Sequence, residues 1–297
     1  MRLVADAVQS QHTMKRIIAC FLLLFFPSTQ SFAWGFKGHR IVADIAHNHL
    51  SEAAKQGIVA LLGNDDLAAI STWADEVRPQ RAESYGWHFV DIPKDSAGFS
   101  EARDCYQPDE KRPTSKDDHH NCVVDRIAMF RQVLADKSGS LQDKVEALKF
   151  IVHFLGDIHQ PMHAVAEARG GNDIHVSEFG SAQCGKYPCN LHYEWDTGLI
   201  EHTGRSEQEY AAYLEKLISS KDLQARSGGT PEDWANESLS LAKQAWLSEG
   251  GSVDEKYFQA NIGVVDERLA LAGLRLAALL NDSFGSGAAP PAAVSIH

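Results

Sequence analysis

Residues 153–163 read HFLGDIHQPMH, which places three histidines and an aspartate at the apolar end of a helical pattern. Leu141, Val145, Leu148, Val152 and Leu155 recur at steps of three and four, so SLQDKVEALKFIVHFLGD is predicted as a helix with one buried face. Polar groups this dense in a core need partners, because burying one unsatisfied costs roughly 2–7 kcal/mol. His153 and Asp157 share a helix face, and Pro161 ends or kinks the helix so that His163 can turn toward the same cavity. The stretch NLHYEWD repeats the spacing with His192 and Asp196. One His-x-x-x-Asp is ordinarily a surface pair or a capped core histidine. Two copies plus His163 point to metal, for which histidine and carboxylate are common ligands.

Most of the rest also carries helical signals. SEAAKQGIVALLG opens at Ser51 and stops at Gly63, SEQEYAAYLEKLIS has Ser206 and Glu209 as a capping box, and TPEDWANESLSLAKQAWL has Thr230 as N-cap before Pro231. A last helix is expected near Val264 to Leu280, apolar on several faces and hence central. Residues 91–121 and 167–190 lack apolar periodicity and read as long loops, with room for a short hairpin. The fold class is mainly α: a single compact multi-helix domain over 34–283 with long loops, followed by a small, flexible tail at 284–297.

Lys15 and Arg16 precede an apolar run from Ile17 to Phe26, and Ser31-Phe32-Ala33 forms a small-x-small site. Residues 1–33 therefore read as a signal peptide, with Met14 an alternative start and Trp34 the first mature residue. Ten apolar residues fall short of the roughly twenty that span a bilayer, so no membrane anchor is expected. The reading implies export, to a periplasm or outside the cell. Four cysteines remain beyond residue 33, an even number consistent with disulfides in an oxidising compartment. Cys105 with Cys122 and Cys184 with Cys189 are favoured, since each pair encloses a polar loop.

Three further stretches, WGFKGH, WADEVR and WHFVD, set His39, Asp75 and His88 close to tryptophan or phenylalanine, as in a partly dry pocket. Together with Trp34, the ordered series resembles the zinc-dependent, single-strand-preferring nucleases of fungi, plants and bacteria, the S1/P1 nuclease family. The matching elements run from residue 34 to 196, and the last third matches in helical character only. The resemblance implies a phospholipase C/nuclease-like fold with three zinc ions. One would take Asp75, His88, His153 and Asp157, and a second His163, His192 and Asp196. The third would take the α-amine and carbonyl of Trp34, His39, and Asp157 as a bridge. His159 faces away by helical spacing and reads as packing or support. His47, His49, His119, His120, His175 and His202 match no position and read as ordinary polar residues.

The same resemblance implies hydrolysis of single-stranded DNA and RNA to 5′-phosphate products, with 3′-nucleotides as further substrates and a monomeric chain. Asp75 and Asp157 would position the reacting groups, and Arg78 is a candidate for pairing with the phosphate, a surface salt bridge being the alternative. Phe89 is a candidate base-stacking platform, with core packing as the competing reading. Asn172, beside Gly170 and Gly171, can hydrogen-bond a base edge or simply close a turn. The chain carries 28 basic and 40 acidic residues, and removing Arg2, Lys15, Arg16 and Asp6 with the leader leaves 25 against 39, a net charge of −14. Nucleic-acid proteins usually rely on Lys and Arg, so the phosphate grip must come from the metal ions. A zinc-dependent phospholipase C and a non-enzymatic zinc-sequestering protein are the alternatives. WGFKGH has a shorter Trp-to-His gap, and Asp196 stands where the phospholipase pattern has Glu.

Overall fold

The computed structural model describes residues 34–105 and 121–285. The expectations for the leader and its start at Met14, for His119 and His120, and for residues 286–297 lie outside the described residues. Phe284 and Gly285, read from composition as tail, instead end the last helix, Glu255–Gly285.

Helix Leu141–Asp157 is the centre of the core: Phe150, Ile151, Phe154 and Leu155 have no exposed surface. Each such side chain contributes roughly 1.5–3 kcal/mol by leaving water. Phe130, from helix Val123–Ala135, stacks on Phe150 with ring centroids 4.7 Å apart. Glu255–Gly285 packs along both Gly35–Asn48 and Leu141–Asp157. It begins nine residues before the expected Val264: its first turns mix exposed Glu255, Lys256 and Gln259 with Tyr257, Phe258 and Ile262, a thinner apolar face than the all-round apolar run that follows. Asp254 starts it, its carboxylate accepting from Tyr257 N at 2.9 Å.

The expected helix starts have their chemical basis in place. Ser51 Oγ accepts from Ala54 N at 3.2 Å, and capping boxes join Ser206 to Glu209 and Thr230 to Asp233. Helices Gly35–Asn48 and Val123–Ala135 lack a side-chain cap, which is why no sequence signal marks them. Asn236 and Asn281 each hydrogen-bond to a distant segment. Asn236 accepts from Phe99 N at 2.8 Å, while Asn281 accepts from Ser51 N at 2.7 Å and donates to His49 O at 3.1 Å.

The 167–190 region holds little regular structure. Val176–Glu178 pairs in parallel with Gly251–Val253, and Gln183–Cys184 forms a short hairpin with Tyr187–Pro188. Both favoured disulfides, Cys105–Cys122 and Cys184–Cys189, are formed. Among the described residues, no helix is long and apolar enough to cross a membrane.

A buried polar network fixes the chain just after Asp157. Ser238 Oγ donates to Ile158 O at 2.6 Å, and Arg268 Nε donates to His159 O at 3.1 Å. His159 Nδ1 donates to Leu155 O at 2.7 Å, and its Nε2 accepts from Arg275 Nη1 at 2.9 Å. Glu237 accepts from both arginines, whose side chains are only 4 % and 2 % exposed. Removing one member of a buried ion-pair network strands the others' charge. Glu237 is itself 41 % exposed, which lets water offset part of the loss, so Glu237→Ala should destabilise the fold by about 2 kcal/mol, read as a lowered urea midpoint with an unchanged m-value.

Candidate metal centre

The eight histidine and aspartate candidates come from seven separate segments. His39 lies on Gly35–Asn48, Asp75 on the short helix Trp73–Val77, and His88 at the end of the 3-10 turn Ala82–His88. His153 and Asp157 lie on Leu141–Asp157, and His163 in the turn Pro161–Ala164 that Pro161 initiates. His192 sits in the helical turn Leu191–Tyr193, and Asp196 in the wider, π-type turn Glu194–Gly198. All eight side chains are buried, none more than 5 % exposed.

Their donor atoms converge in neighbouring groups: His39, Asp75 and His153; His88, His153 and Asp157; and His163, His192 and Asp196. In the first two, His88 Nδ1 lies 3.0 Å from Asp157 Oδ2 and 3.1 Å from His153 Nε2. His153 Nε2 lies 3.4 Å from both Asp75 Oδ2 and Asp157 Oδ2, and His39 Nε2 lies 3.4 Å from Asp157 Oδ1. The His39 ring stacks on His153 at 3.9 Å. Asp157 therefore touches His39, His88 and His153 at once. In the third group His192 Nε2 is 3.3 Å from Asp196 Oδ2, and His163 Nε2 is 3.7 Å from Asp196 Oδ1.

Backbone carbonyls set the histidine tautomers. The Nδ1 atoms of His153, His163 and His192 donate to Ser71 O, His88 O and Gly170 O at 2.7, 2.8 and 2.7 Å. In the neutral imidazole each Nε2 is then a bare lone pair. Those of His163 and His192 face one another at 3.1 Å, with a carboxylate alongside. Acceptors cannot hydrogen-bond to acceptors, so a cation between them is the partner that fits this donor set. Asp75 Oδ2 and Asp157 Oδ1, also buried, have no hydrogen-bond partner among the described residues.

Burial pushes the pKa of His88, His153 and His163 below the usual range and that of His192 down to about 4. The Arg78 charge lowers His88, His163 and His192 further. Burial, reinforced by Asp75, pushes Asp157 well up. Neutral imidazole is the form that ligates, and an adjacent cation would restore the carboxylate.

Trp34 is fully buried in a left-handed conformation (φ 51°), and its indole Nε1 donates to Gly156 O at 2.8 Å, one residue before Asp157. Arg78 is no free surface cation: it donates to Asp75 Oδ1 at 3.0 Å, lies over the Tyr85 ring at 4.6 Å, and is 12 % exposed. Phe89 is half-buried, edge-on to the exposed Tyr85 at 6.0 Å. Asn172 Nδ2 donates to Arg169 O at 2.9 Å, closing its own turn. Gly170, at φ +65°, lets the chain pass against Met162 O and His192, where a Cβ would collide, so its carbonyl can anchor the ligand ring. Sequence reasoning missed Gln160, fully buried, which donates to Asp196 Oδ1 at 2.5 Å and accepts from Met162 N at 2.5 Å. Its available signal was position: a residue before proline is turned out of the helix. Tyr85 was missed as well.

Comparison with known proteins agrees with this geometry. The family model described as S1/P1 Nuclease matches residues 34–285. Endonuclease 2 of Arabidopsis thaliana is 31 % identical over 92 % of this chain and 98 % of its own length. Nuclease P1 of Penicillium citrinum is 31 % identical over 85 % and 98 %, and nuclease S1 of Aspergillus oryzae 29 % over 84 % and 92 %. With a family match running from Trp34 through the end of the last described helix, the chain belongs to the S1/P1 nuclease family.

Proposed function

We propose that this chain is an exported, zinc-dependent endonuclease that cleaves single-stranded DNA and RNA to 5′-phosphate products and also acts on 3′-nucleotides. The observation that carries the metal reading is the facing pair of Nε2 lone pairs on His163 and His192, 3.1 Å apart with both Nδ1 atoms engaged. Three zinc ions are assigned: one to Asp75, His88, His153 and Asp157; one to His163, His192 and Asp196; and one to His39, Asp157 and the α-amine and carbonyl of Trp34. When bound, the ions supply Lewis-acid activation of water and neutralise charge at phosphorus and on the leaving oxygen. Asp157 holds two of the sites in register, and Asp75 orients Arg78, whose guanidinium is placed beside the centre to pair with the phosphate. Phe89 and Tyr85 offer ring faces to an unpaired base, which favours single strands. Asn172 offers its amide to a base edge. Two disulfides suit an oxidising compartment, and one chain supplies every assigned donor, so a monomer suffices.

Digestion of single-stranded DNA, RNA and 3′-AMP with and without a chelator tests the reading. Loss of all three activities on chelation, restored by zinc, is expected; hydrolysis of phosphatidylcholine without nucleic-acid cleavage would overturn it. Asp157→Asn should abolish cleavage and remove more than one zinc per chain by elemental analysis, because a bridging ligand serves two ions. Phe89→Ala should raise KM for single strands by more than it lowers kcat, since stacking serves binding; unchanged steady-state constants would return Phe89 to a packing role.

The Trp34 amine gives a separate test. An α-amine presents a lone pair, whereas the same nitrogen inside a peptide bond is a poor ligand because its lone pair is delocalised. Residues 34–297 preceded by one extra alanine should fold, by circular dichroism, yet bind one zinc fewer and lose most activity. Three ions and full turnover in that variant would remove Trp34 from the ligand set.

A further inference from the structure

A second buried group of acids and sulfurs lies apart from the histidine centre. Glu178 ends strand Val176–Glu178, Glu194 opens the turn Glu194–Gly198, and the Cys184–Cys189 disulfide lies beside both. One donor atom from each of these four residues lies within 4.8 Å of the others. Cys184 Sγ is 3.2 Å from Glu178 Oε2 and 3.4 Å from Glu194 Oε1, but a disulfide sulfur has no proton to donate. Glu194 is 0 % exposed, and its Oε2 has no hydrogen-bond partner among the described residues. Gly198 keeps the space between the two carboxylates open: a Cβ there would overlap Glu194 Oε2 and come within 3.2 Å of Glu178 Oε1. Two carboxylates thus face a shared gap from which the backbone is held back, and one oxygen of Glu194 has no partner there.

We propose that Glu178 and Glu194 bind a calcium ion, distinct from the zinc sites. Oxygens up to 4.8 Å apart fit opposite sides of a cation bonded at about 2.4 Å, the calcium–oxygen distance. The free donors are carboxylate oxygens and the sulfurs are engaged in a disulfide, so the site selects a hard cation over a thiolate-seeking one. Two carboxylates completed by water give weak binding, with Kd of about 0.1–1 mM as in extracellular calcium modules. The ion would tie the Val176–Glu178 strand to the turn that carries Asp196, steadying the segment that presents His192 and Asp196. The inference stands on the Glu178–Gly198 geometry and does not depend on the nuclease reading.

Equilibrium dialysis of the zinc-saturated protein against radiolabelled calcium, with excess magnesium present, tests it. One calcium per chain is expected, half-saturating at about 0.1–1 mM, with a Tm rise of about 5 °C in 10 mM calcium. Glu178→Gln, a change at a partly exposed position that leaves the core intact, should abolish both the bound calcium and the Tm rise; Glu52→Gln, on an exposed helix face, should keep both. Absence of saturable calcium in the wild type would overturn the proposal, as would calcium binding that survives both Glu178→Gln and Glu194→Gln. A wild-type Tm indifferent to calcium, combined with a higher Tm in Glu194→Gln, would overturn it too, because it would identify Glu194 as a neutral acid.

Discussion

Lone pairs that face one another inside a core are the constraint on which the site depends. His153, His163 and His192 each spend Nδ1–H on a carbonyl, which fixes the ring and turns Nε2 toward neighbours that are also acceptors. Water is excluded and protonation is opposed by burial, as the depressed pKa of His192, about 4, expresses. Such an arrangement is repulsive by itself and becomes favourable around cations, so the folding free energy and the metal-binding free energy are linked. A long, largely buried helix serves both ends, since Leu141–Asp157 carries Phe150 and Phe154 of the core and the candidate ligands His153 and Asp157.

Rigidity comes from the layer behind the ligands. Asp157 is followed immediately by Ile158 and His159, whose carbonyls are held by Ser238 and Arg268, and then by Gln160, which reaches Asp196. The eleven residues HFLGDIHQPMH thus alternate two duties. His153, Asp157 and His163 face the centre, while His159 and Gln160 bind the surrounding helices and turns. A metal ligand's outer partners restrict its orientation as much as the ion does: the candidate histidines have Ser71 O, His88 O and Gly170 O, while the Pro231–Ala245 and Glu255–Gly285 helices hold the backbone that follows Asp157. The last third of the chain, which carries none of the motifs, therefore still shapes the site.

What could be read from the sequence follows from how local each signal is. His153 with Asp157 and His192 with Asp196 were legible because four-residue spacing is a property of one helical turn, and Ser51, Ser206 and Thr230 because caps act within three residues. His39, Asp75 and His88 gained meaning through the ordered family pattern, since their meeting depends on three elements folding together. The carbonyls of Ser71, His88 and Gly170 leave no trace in side-chain identity and could not be foreseen. Arg78 was ambiguous for a related reason: its contact with Asp75 is local, but its position over Tyr85 and beside the histidines is tertiary. Helix Glu255–Gly285 was recognised only where it becomes apolar on several faces, since its first turns bury a narrower stripe of Tyr257, Phe258 and Ile262 among exposed polar residues.

The acidic surface and the nucleic-acid substrate are compatible because their electrostatics act over different distances. Exposed carboxylates are screened beyond about 8 Å at physiological ionic strength, so a net charge of −12 weakens the approach of a polyanion without deciding what happens in the cleft. Inside, burial limits screening, and the local balance is set by Arg78 and by whatever cations the Asp and His donors hold. A lysine-rich groove would grip any duplex along its backbone. Under the proposed reading, gripping one phosphate in a buried centre, with the adjoining base stacked on Tyr85 or Phe89, demands instead that the base be unstacked and the strand locally single. On this account strand preference follows from keeping attraction short-ranged, and adding surface lysines would trade that preference for affinity.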